Sequence, residues 1–343
     1  MRWRITELSN LLYLINLTVM ASRTLHHWEH RIGRRVQLRD LHILLTAAQS
    51  RSMVRASQQL GMSQPAVSKA IAALEHTLGV RLLDRGPRGV EPTRYGHALL
   101  RRGAAVFDEL RQGVSEIEFL ADPGVGELRI GCGEPVAITL LPTVIQTLSS
   151  TYPRLAFHVR QVDTIAFDFR DLRERKLDIL VGRIAEPFKD DDLNAETVLE
   201  QRVVLVAGAQ SEWARRRKLS LGELVNEKWV LLPPEMPESE YVASAFRAQG
   251  LAPPRASVAT LSFHIRAALV ARGDFLSAFP MDLLGRFSSV RALPIDLGLR
   301  PRPVAIVTLK NRTLSPAAEL FIDCIRSVAS RDRAVVPPKR SFG

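Results

Sequence analysis

The sequence predicts an α/β chain whose N-terminal unit is helical, followed by one long helix and a larger part built as two α/β lobes with a cleft between them. Three observations carry this reading. Between residues 36 and 78, apolar residues recur at helical spacing in three short runs separated by Ser and Gly. From Thr93 a single long helical pattern runs to Asp122-Pro123-Gly124. Beyond Gly126, strand-like and helix-like segments alternate, which implies a parallel sheet covered on both faces.

Leu38, Leu41, Leu44, Leu45 and Ala48 predict a helix over 38–50. Ser52 caps a second helix that runs to about Leu60 and ends at Gly61. Ser63 caps a third, with Pro65 tolerated in its first turn, that reaches Leu78 and stops at Gly79. Residues 80–83 and 89–91 pair as a small hairpin around Arg85-Gly86-Pro87-Arg88. In the long helix, Leu99, Val106, Leu110, Ile117 and Leu120 form a seam suited to a partner helix, interrupted by Gly103 and Gly113. Pro123-Gly124-Val125-Gly126 is the clearest linker.

Strands are then expected at 128–131, 155–162 and 177–182, with helices at 139–150 and 164–175. A second set follows, with strands at 203–207, 229–232, 257–259, 276–279 and 303–309 and helices near 211–217, 238–249, 262–272 and 315–329. Two successive sets imply two lobes and a cleft. The tail 331–343, ending Pro337-Pro338-Lys339-Arg340, is expected to be disordered.

At 343 residues, 46% of them apolar, the chain is long enough for two or three units, and global disorder is excluded. Lys and Arg number 47 against 36 Asp and Glu, a formal charge of +11. That balance favours a polyanionic partner, nucleic acid or an anionic membrane surface. Two cysteines, Cys132 and Cys324, without a Cys-x-x-Cys pair exclude a disulfide framework and a Cys-type zinc site, and fit small core residues in a reduced cytoplasm. Arg2 and Arg4 before an apolar stretch loosely mimic a signal peptide. Asn10, Asn16 and Thr18 interrupt that stretch, which falls short of the ~20 residues a membrane span needs. No membrane partner is expected. Residues 1–35 read either as a short helical extension or as an early assigned start, with Met20 the alternative first residue.

The stretch Ala56-Ser57-Gln58-Gln59-Leu60-Gly61-Met62-Ser63-Gln64-Pro65-Ala66-Val67-Ser68-Lys69 is the most informative. On the third helix Val67, Ile71, Leu74 and Leu78 follow the 3.6 period and face inward; Pro65, Ser68, Lys69 and Ala72 fall on the opposite arc, with Gln64 on its shoulder. A helix fits the major groove, and its N-terminal residues reach base edges first. The Gln64 amide donates and accepts together, which suits adenine; Ser68 suits a base or a phosphate, and Lys69 guanine or phosphate. The helix start at Ser63 offers free N–H groups and partial positive charge to a phosphate. Over 36–96, eight Lys and Arg face four Asp and Glu. Arg85 and Arg88 are placed to enter a minor groove from the hairpin.

Residues 38–96 resemble the winged helix-turn-helix of LysR-type regulators. The likeness rests on Arg55-Ala56-Ser57-Gln58-Gln59-Leu60, Ser63 to Lys69, Leu74-Glu75, Leu78-Gly79-Val80-Arg81-Leu82-Leu83, Arg88-Gly89-Val90, Pro92-Thr93 and Gly96. Met53 and Leu83 stand where the family usually has Phe, tolerable apolar swaps. The resemblance implies DNA contacts from Ser63, Gln64, Pro65, Ser68, Lys69, Arg85, Arg88 and Thr93. It also implies dimerisation through the long helix, by Leu99, Val106, Leu110 and Ile117.

The likeness continues through Gly126-Glu127-Leu128-Arg129-Ile130-Gly131, Leu141-Pro142, Tyr152-Pro153, Leu177-Asp178-Ile179 and Ala278-Phe279-Pro280. It implies a two-lobed effector-binding domain of periplasmic-binding-protein type. By position the cleft would be lined by Gly133, Glu134, Pro135 and Val136, by Asp163 and Thr164, by Gly182 and Arg183, and by Thr260, Leu261 and Ser262. Two departures stand out. Phe275 replaces a frequent Gly, which would narrow the cleft or alter the hinge between lobes. Glu134 is acidic where Ser or Thr is common, which argues mildly against an anionic effector there, while Arg183 can pair with it or bind an acid.

The resemblance thus implies an extension (1–35), a DNA-binding domain (36–96), a linker and dimerisation helix (93–122), an effector domain (126–330) and a tail (331–343). The function implied is a sequence-specific DNA-binding transcription regulator, modulated by a small-molecule effector. Its implied partners are double-stranded promoter DNA, the effector and further copies of the chain as a dimer or tetramer, with room for RNA polymerase. The cytoplasm is the expected location, and no cofactor or metal is expected.

An enzyme is the rival reading. His26 and His30 have metal-like spacing but no carboxylate set beside them, and the chain lacks Gly-x-Ser-x-Gly, a phosphate-binding Gly-rich loop and a dinucleotide fingerprint. Gly131-Cys132-Gly133 follows a strand but lacks the third glycine. A binding protein made of the two-lobed part alone would not need the DNA-reading helix.

Overall fold

The computed structural model describes residues 35–86, 89–162, 169–184, 188–236 and 239–335. The expectations for residues 1–34, for Arg88, Asp163 and Thr164, for 164–168 as helix and for 336–343 lie outside them. The chain divides into two compact units, Met1–Asp108 and Glu109–Gly343.

In the first unit, α1 (Leu38–Ser50), α2 (Met53–Gln59) and α3 (Gln64–Leu78) precede a two-stranded antiparallel wing, β1 (Leu83–Gly86) and β2 (Gly89–Pro92). The Ser52 side chain accepts from the Arg55 N–H, and Ser63 accepts from the Ala66 N–H, so each helix starts at its cap. Leu44, Ala47, Ala56, Val67, Ile71, Leu74 and Leu82 close one core. Glu75 Oε1 accepts from the backbone N–H of Leu82 at 2.7 Å and of Leu83 at 3.1 Å, tying α3 to the wing. The hairpin strands lie further along than expected, because the Glu75 bonds hold Leu82 and Leu83 at the hairpin's root. Gly89 has φ +109°, and a Cβ there would lie 2.3 Å from the Arg51 carbonyl oxygen, so only glycine fits.

Thr93 then opens α4 (Arg94–Ala121), its hydroxyl accepting from the Gly96 N–H and donating to the Arg81 carbonyl.

The second unit has two lobes. In the first lobe, β3 (Gly126–Cys132), β4 (Leu155–Gln161), β5 (Ile179–Arg183), β6 (Leu193–Gln201) and β12 (Arg302–Leu309) form a sheet in the order β4-β3-β5-β12-β6. β4, β3, β5 and β6 run in one direction, and β12 lies between β5 and β6, antiparallel to both. The expected parallel sheet is therefore mixed, because β12 enters only after the chain has built the second lobe and returned. Helices α5 (Glu134–Ile138), α6 (Leu140–Thr151) and α11 (Pro316–Val335) cover one face, where Leu128, Ile130, Val144, Phe321 and Ile325 are buried. α7 (Arg170–Arg173) lies on the other, with Phe169 and Leu172 against Leu180 and Val307.

In the second lobe, β7 (Val203–Gly208) is flanked by β10 (Ser277–Pro280) and β11 (Val290–Ala292), both antiparallel to it. β8 (Trp229–Leu231) pairs in parallel with β9 (Ala256–Ala259). α8 (Glu212–Arg215), α9 (Ser239–Ala248) and α10 (Phe263–Ala271) complete it around Trp229, Phe246 and Phe279.

Two strands were not expected. Leu193–Gln201 alternates weakly, with Asn194, Glu196 and Glu200 on a wet edge, and Val290–Ala292 has three residues. The helix expected at 139–150 is preceded by a separate turn, α5, with Pro135 near its start. The helix expected over 164–175 is described only as Arg170–Arg173. The first five residues of the expected disordered tail continue α11 to Val335.

Candidate DNA-reading surface and ligand cleft

On α3, Val67, Ile71 and Leu74 are buried, while Ser63, Gln64, Pro65 and Lys69 are exposed and Ser68 is half-buried. Gln64 Nε2 donates to Ser68 Oγ at 3.3 Å, so the two polar residues of the exposed arc hold each other. Arg39, Arg51, Arg55, Arg81 and Arg85 are exposed in the same unit. Its surface therefore presents a helix N-terminus, an amide and a set of cations, the groups that meet phosphates and base edges. The Thr93 hydroxyl is engaged locally, where it caps α4.

Along α4, Val106, Leu110, Ile117 and Leu120 are exposed, and Val114, which the seam reading omitted, joins them. A long exposed apolar strip marks a surface meant for a partner. Leu99 does not belong to it; it is half-buried against the first unit's core, because the start of α4 closes that core.

In the second unit the lobes enclose a cleft of about 410 Å³. Gly133, Glu134, Pro135 and Val136 line it from the end of β3, and Gly182 and Arg183 from the end of β5. Leu261 reaches it from the second lobe. Thr260 and Ser262 do not line it: Thr260 Oγ1 accepts from the Ser262 N–H at 3.2 Å, and Ser262 Oγ accepts from the Ile265 N–H at 3.4 Å. Ser262 caps α10, and Thr260 closes a local turn just before it. Phe275, expected to narrow the cleft or alter the hinge, does not line the cleft and packs against the core of Val206, Val270 and Phe279.

Glu134 Oε2 accepts from the Phe263 N–H at 3.0 Å, and Oε1 lies 2.9 Å from His264 Nδ1. The carboxylate thus faces the first turn of α10, where the helix dipole favours it. Arg183 Nε donates to Gln201 Oε1 at 2.8 Å, and Gln201 Nε2 donates to Asp282 at 2.8 and 3.1 Å. Arg302 lies over the Tyr241 ring at 5.3 Å, and the Tyr241 hydroxyl donates to the Arg300 carbonyl at 2.5 Å.

Arg266 is the cleft residue the sequence reading missed most plainly. It is 2% exposed. Its Nε donates to Ser277 Oγ at 3.2 Å, its Nη2 donates to the Ala278 carbonyl, and the guanidinium lies 4.5 Å from the Phe263 ring centroid and 5.2 Å from that of Phe279. Burial, and after it the charge of Arg183, pull this guanidinium down to about 9 against the opposing pull of Glu134. The signal was present: Phe263, Arg266, Ala267 and Val270 follow the inward helical period, and one of the four is an arginine. Gln201, Tyr241 and Arg302 were missed because they sit on elements remote in sequence that only the lobe crossings bring together.

Away from the cleft, Asp178 is buried among Arg129, Arg312 and Arg111, the last from α4. Cys132 is fully buried, and burial pushes its thiol up to about 11, so it is no nucleophile at neutral pH. Among the described residues no cluster of three His, Cys, Asp or Glu is placed to hold a metal, and no helix is long and apolar enough to cross a membrane.

Comparison with known families places these features. Residues 38–97 match the model of the bacterial regulatory helix-turn-helix protein, lysR family, and residues 121–330 match that of the LysR substrate binding domain. The chain is 30% identical to the HTH-type transcriptional regulator GbpR of Azospirillum brasilense, over 90% of this chain and 91% of that one. It is 30% identical to the SDS degradation transcriptional activation protein of Pseudomonas sp. (strain ATCC 19151), over 88% and 98%. Among solved structures, a full-length OxyR variant from Pseudomonas aeruginosa superposes with a TM-score of 0.63 at 21% identity, covering 84% of this chain and 97% of that one. CbnR complexed with its target DNA superposes at 0.50 and 20% identity, covering 86% and 100%. At such identities the structures speak for the fold alone.

Proposed function

This chain belongs to the LysR family of transcriptional regulators, and from that premise we propose how its parts divide the function of a DNA-binding regulator modulated by a small molecule. Residues 36–96 bind promoter DNA, 93–122 join copies of the chain as a dimer or tetramer, and 126–330 bind the effector. The observation that carries the first assignment is α3, with Gln64, Pro65 and Lys69 exposed over a buried Val67, Ile71 and Leu74. Gln64 and Ser68 read base edges. Ser63, Lys69 and the wing arginines Arg85 and Arg88 hold phosphates or the minor groove, and Thr93 supports the wing from the start of α4.

The cleft between the lobes receives the effector, with Gly133, Glu134, Pro135, Val136, Gly182 and Arg183 on the first-lobe wall and Leu261 opposite. A ligand that touches both lobes binds one interlobe arrangement better than another, and only that difference is available to alter DNA binding. We place the protein in the cytoplasm, beside its DNA, with RNA polymerase as a further partner at the promoter.

Fluorescence anisotropy tests the DNA assignment. The full chain is titrated against the duplex immediately upstream of its gene and against a random duplex, across a salt series. Tighter binding to the upstream duplex at every salt, with affinity falling as salt rises, is expected. Equal affinity for both duplexes would contradict the base-reading role.

A further inference from the structure

We propose that the cleft takes an organic anion, a small monocarboxylate with an apolar body, whose carboxylate is held by Arg266 together with Arg183 and Arg302. The proposal deepens, and rests on, the reading of the cleft as the effector site.

The charge on the cleft wall points this way. Arg266 is buried and positioned on the wall, and among the described residues no carboxylate lies within ion-pairing distance of it. Its hydrogen bonds go to neutral oxygens of Ser277 and Ala278, and its flat faces meet Phe263 and Phe279. A buried cation hydrogen-bonded only to neutral groups, with Glu134 acting on it through space alone, is costly, and an anion brought by a ligand relieves that cost. Arg183 and Arg302 line the same space. Glu134 is the acid on the wall, and its two oxygens already face the Phe263 N–H and His264. Its presence therefore does not repel an anion from Arg266 as strongly as the sequence implied.

Shape and polarity select the class. A guanidinium fork matches a carboxylate with two parallel hydrogen bonds. Between the arginines and the polar Gln161, Gln201, Ser239 and Tyr241, the wall carries an apolar stretch of Val136, Val162, Val203, Leu231 and Val242. These apolar side chains suit an aryl or short alkyl body. The volume, about 410 Å³, lies at the small end of ligand sites.

The test uses calorimetric titration of the full chain with benzoate and hexanoate, each paired with its neutral isostere, benzamide and hexanamide, and with phenyl phosphate. The carboxylates are expected to bind at least about tenfold more tightly than the amides, as for a charged hydrogen-bond partner. R302Q and R266M should each erase most of that preference, the carboxylate affinity falling further than the amide affinity. Where R266M fails to fold, R302Q decides. Amides binding as tightly as carboxylates, a preference that survives in the variants, a preference for phenyl phosphate, or no carboxylate binding would each overturn the assignment. Carboxylates that bind with the expected preference yet leave promoter affinity unchanged would uphold the anion site and remove the effector reading instead.

Discussion

The carboxylate of Glu134, at the start of α5, accepts a hydrogen bond from the backbone N–H of Phe263, at the start of α10, at 3.0 Å. The two residues belong to different lobes, so this bond is a direct polar strut across the cleft. It is charge-assisted and shielded, since the Glu134 side chain is 13% exposed, whereas that of His264 is 73% exposed. E134A should therefore lower unfolding stability by about 1–3 kcal/mol, the cost of stranding a buried donor. H264A should cost only about 0–1 kcal/mol, as for an exposed ion pair. Denaturant unfolding of both variants checks this, and equal losses would mean the Phe263 bond contributes nothing of its own.

Asp178 gathers Arg129 at 2.7 Å, Arg312 at 2.5 Å and Arg111 of α4 at 3.1 Å. Burial alone would raise its carboxyl; the hydrogen bonds and charge of Arg129, with the charge of Arg312, outweigh burial and hold it well below the usual carboxylate range. A depressed folded value means the stabilisation is present above the ordinary Asp range, about 3.9, and is lost as pH falls toward the folded value. D178N leaves buried Arg312 without its anion and should cost about 3–5 kcal/mol at neutral pH. The gap between wild type and variant should narrow below about pH 4. Thermal melts across pH would show a constant gap if Asp178 did not carry this charge.

Gln64 lies exposed at the first position of α3, and its amide is oriented by Ser68. Q64A should lose about 1–3 kcal/mol on promoter DNA and far less on a random duplex. Equal losses on both would make Gln64 a phosphate contact.

Leu110 is 49% exposed in the middle of the α4 strip. L110D buries an unpaired charge in any interface formed there, so the assembly should dissociate and promoter affinity should fall with it. Analytical ultracentrifugation checks this; a variant that sediments and binds like the parent would assign the strip another role.

What was legible in the sequence was local. Ser52, Ser63 and Gly79 mark helix ends through bonds to residues a few positions away, so the three helices could be placed from spacing alone. The loop at Gly133 to Val136 and the end of β5 were legible as cleft walls because strand ends converge there in two-lobed α/β folds. Direction and distant pairing were not legible. Nothing local tells that β12 returns antiparallel, or that Glu134 meets Phe263 across 129 residues of sequence. Ser262 shows how one residue type serves two ends: a hydroxyl before a helix suits a ligand or a cap, and here it caps. Arg266 could have been found, since an arginine on the inward face of an apolar helix has to be answered by something.

The central claim is that a ligand in the cleft changes the affinity of the DNA-reading helix for its promoter. Its most direct test is reciprocal titration: promoter affinity with and without saturating ligand, and ligand affinity with and without saturating promoter, using the tightest carboxylate found for the cleft. Linkage requires both affinities to change by the same factor, expected at roughly 5- to 150-fold. A ligand that binds the cleft while promoter affinity stays the same would contradict the account.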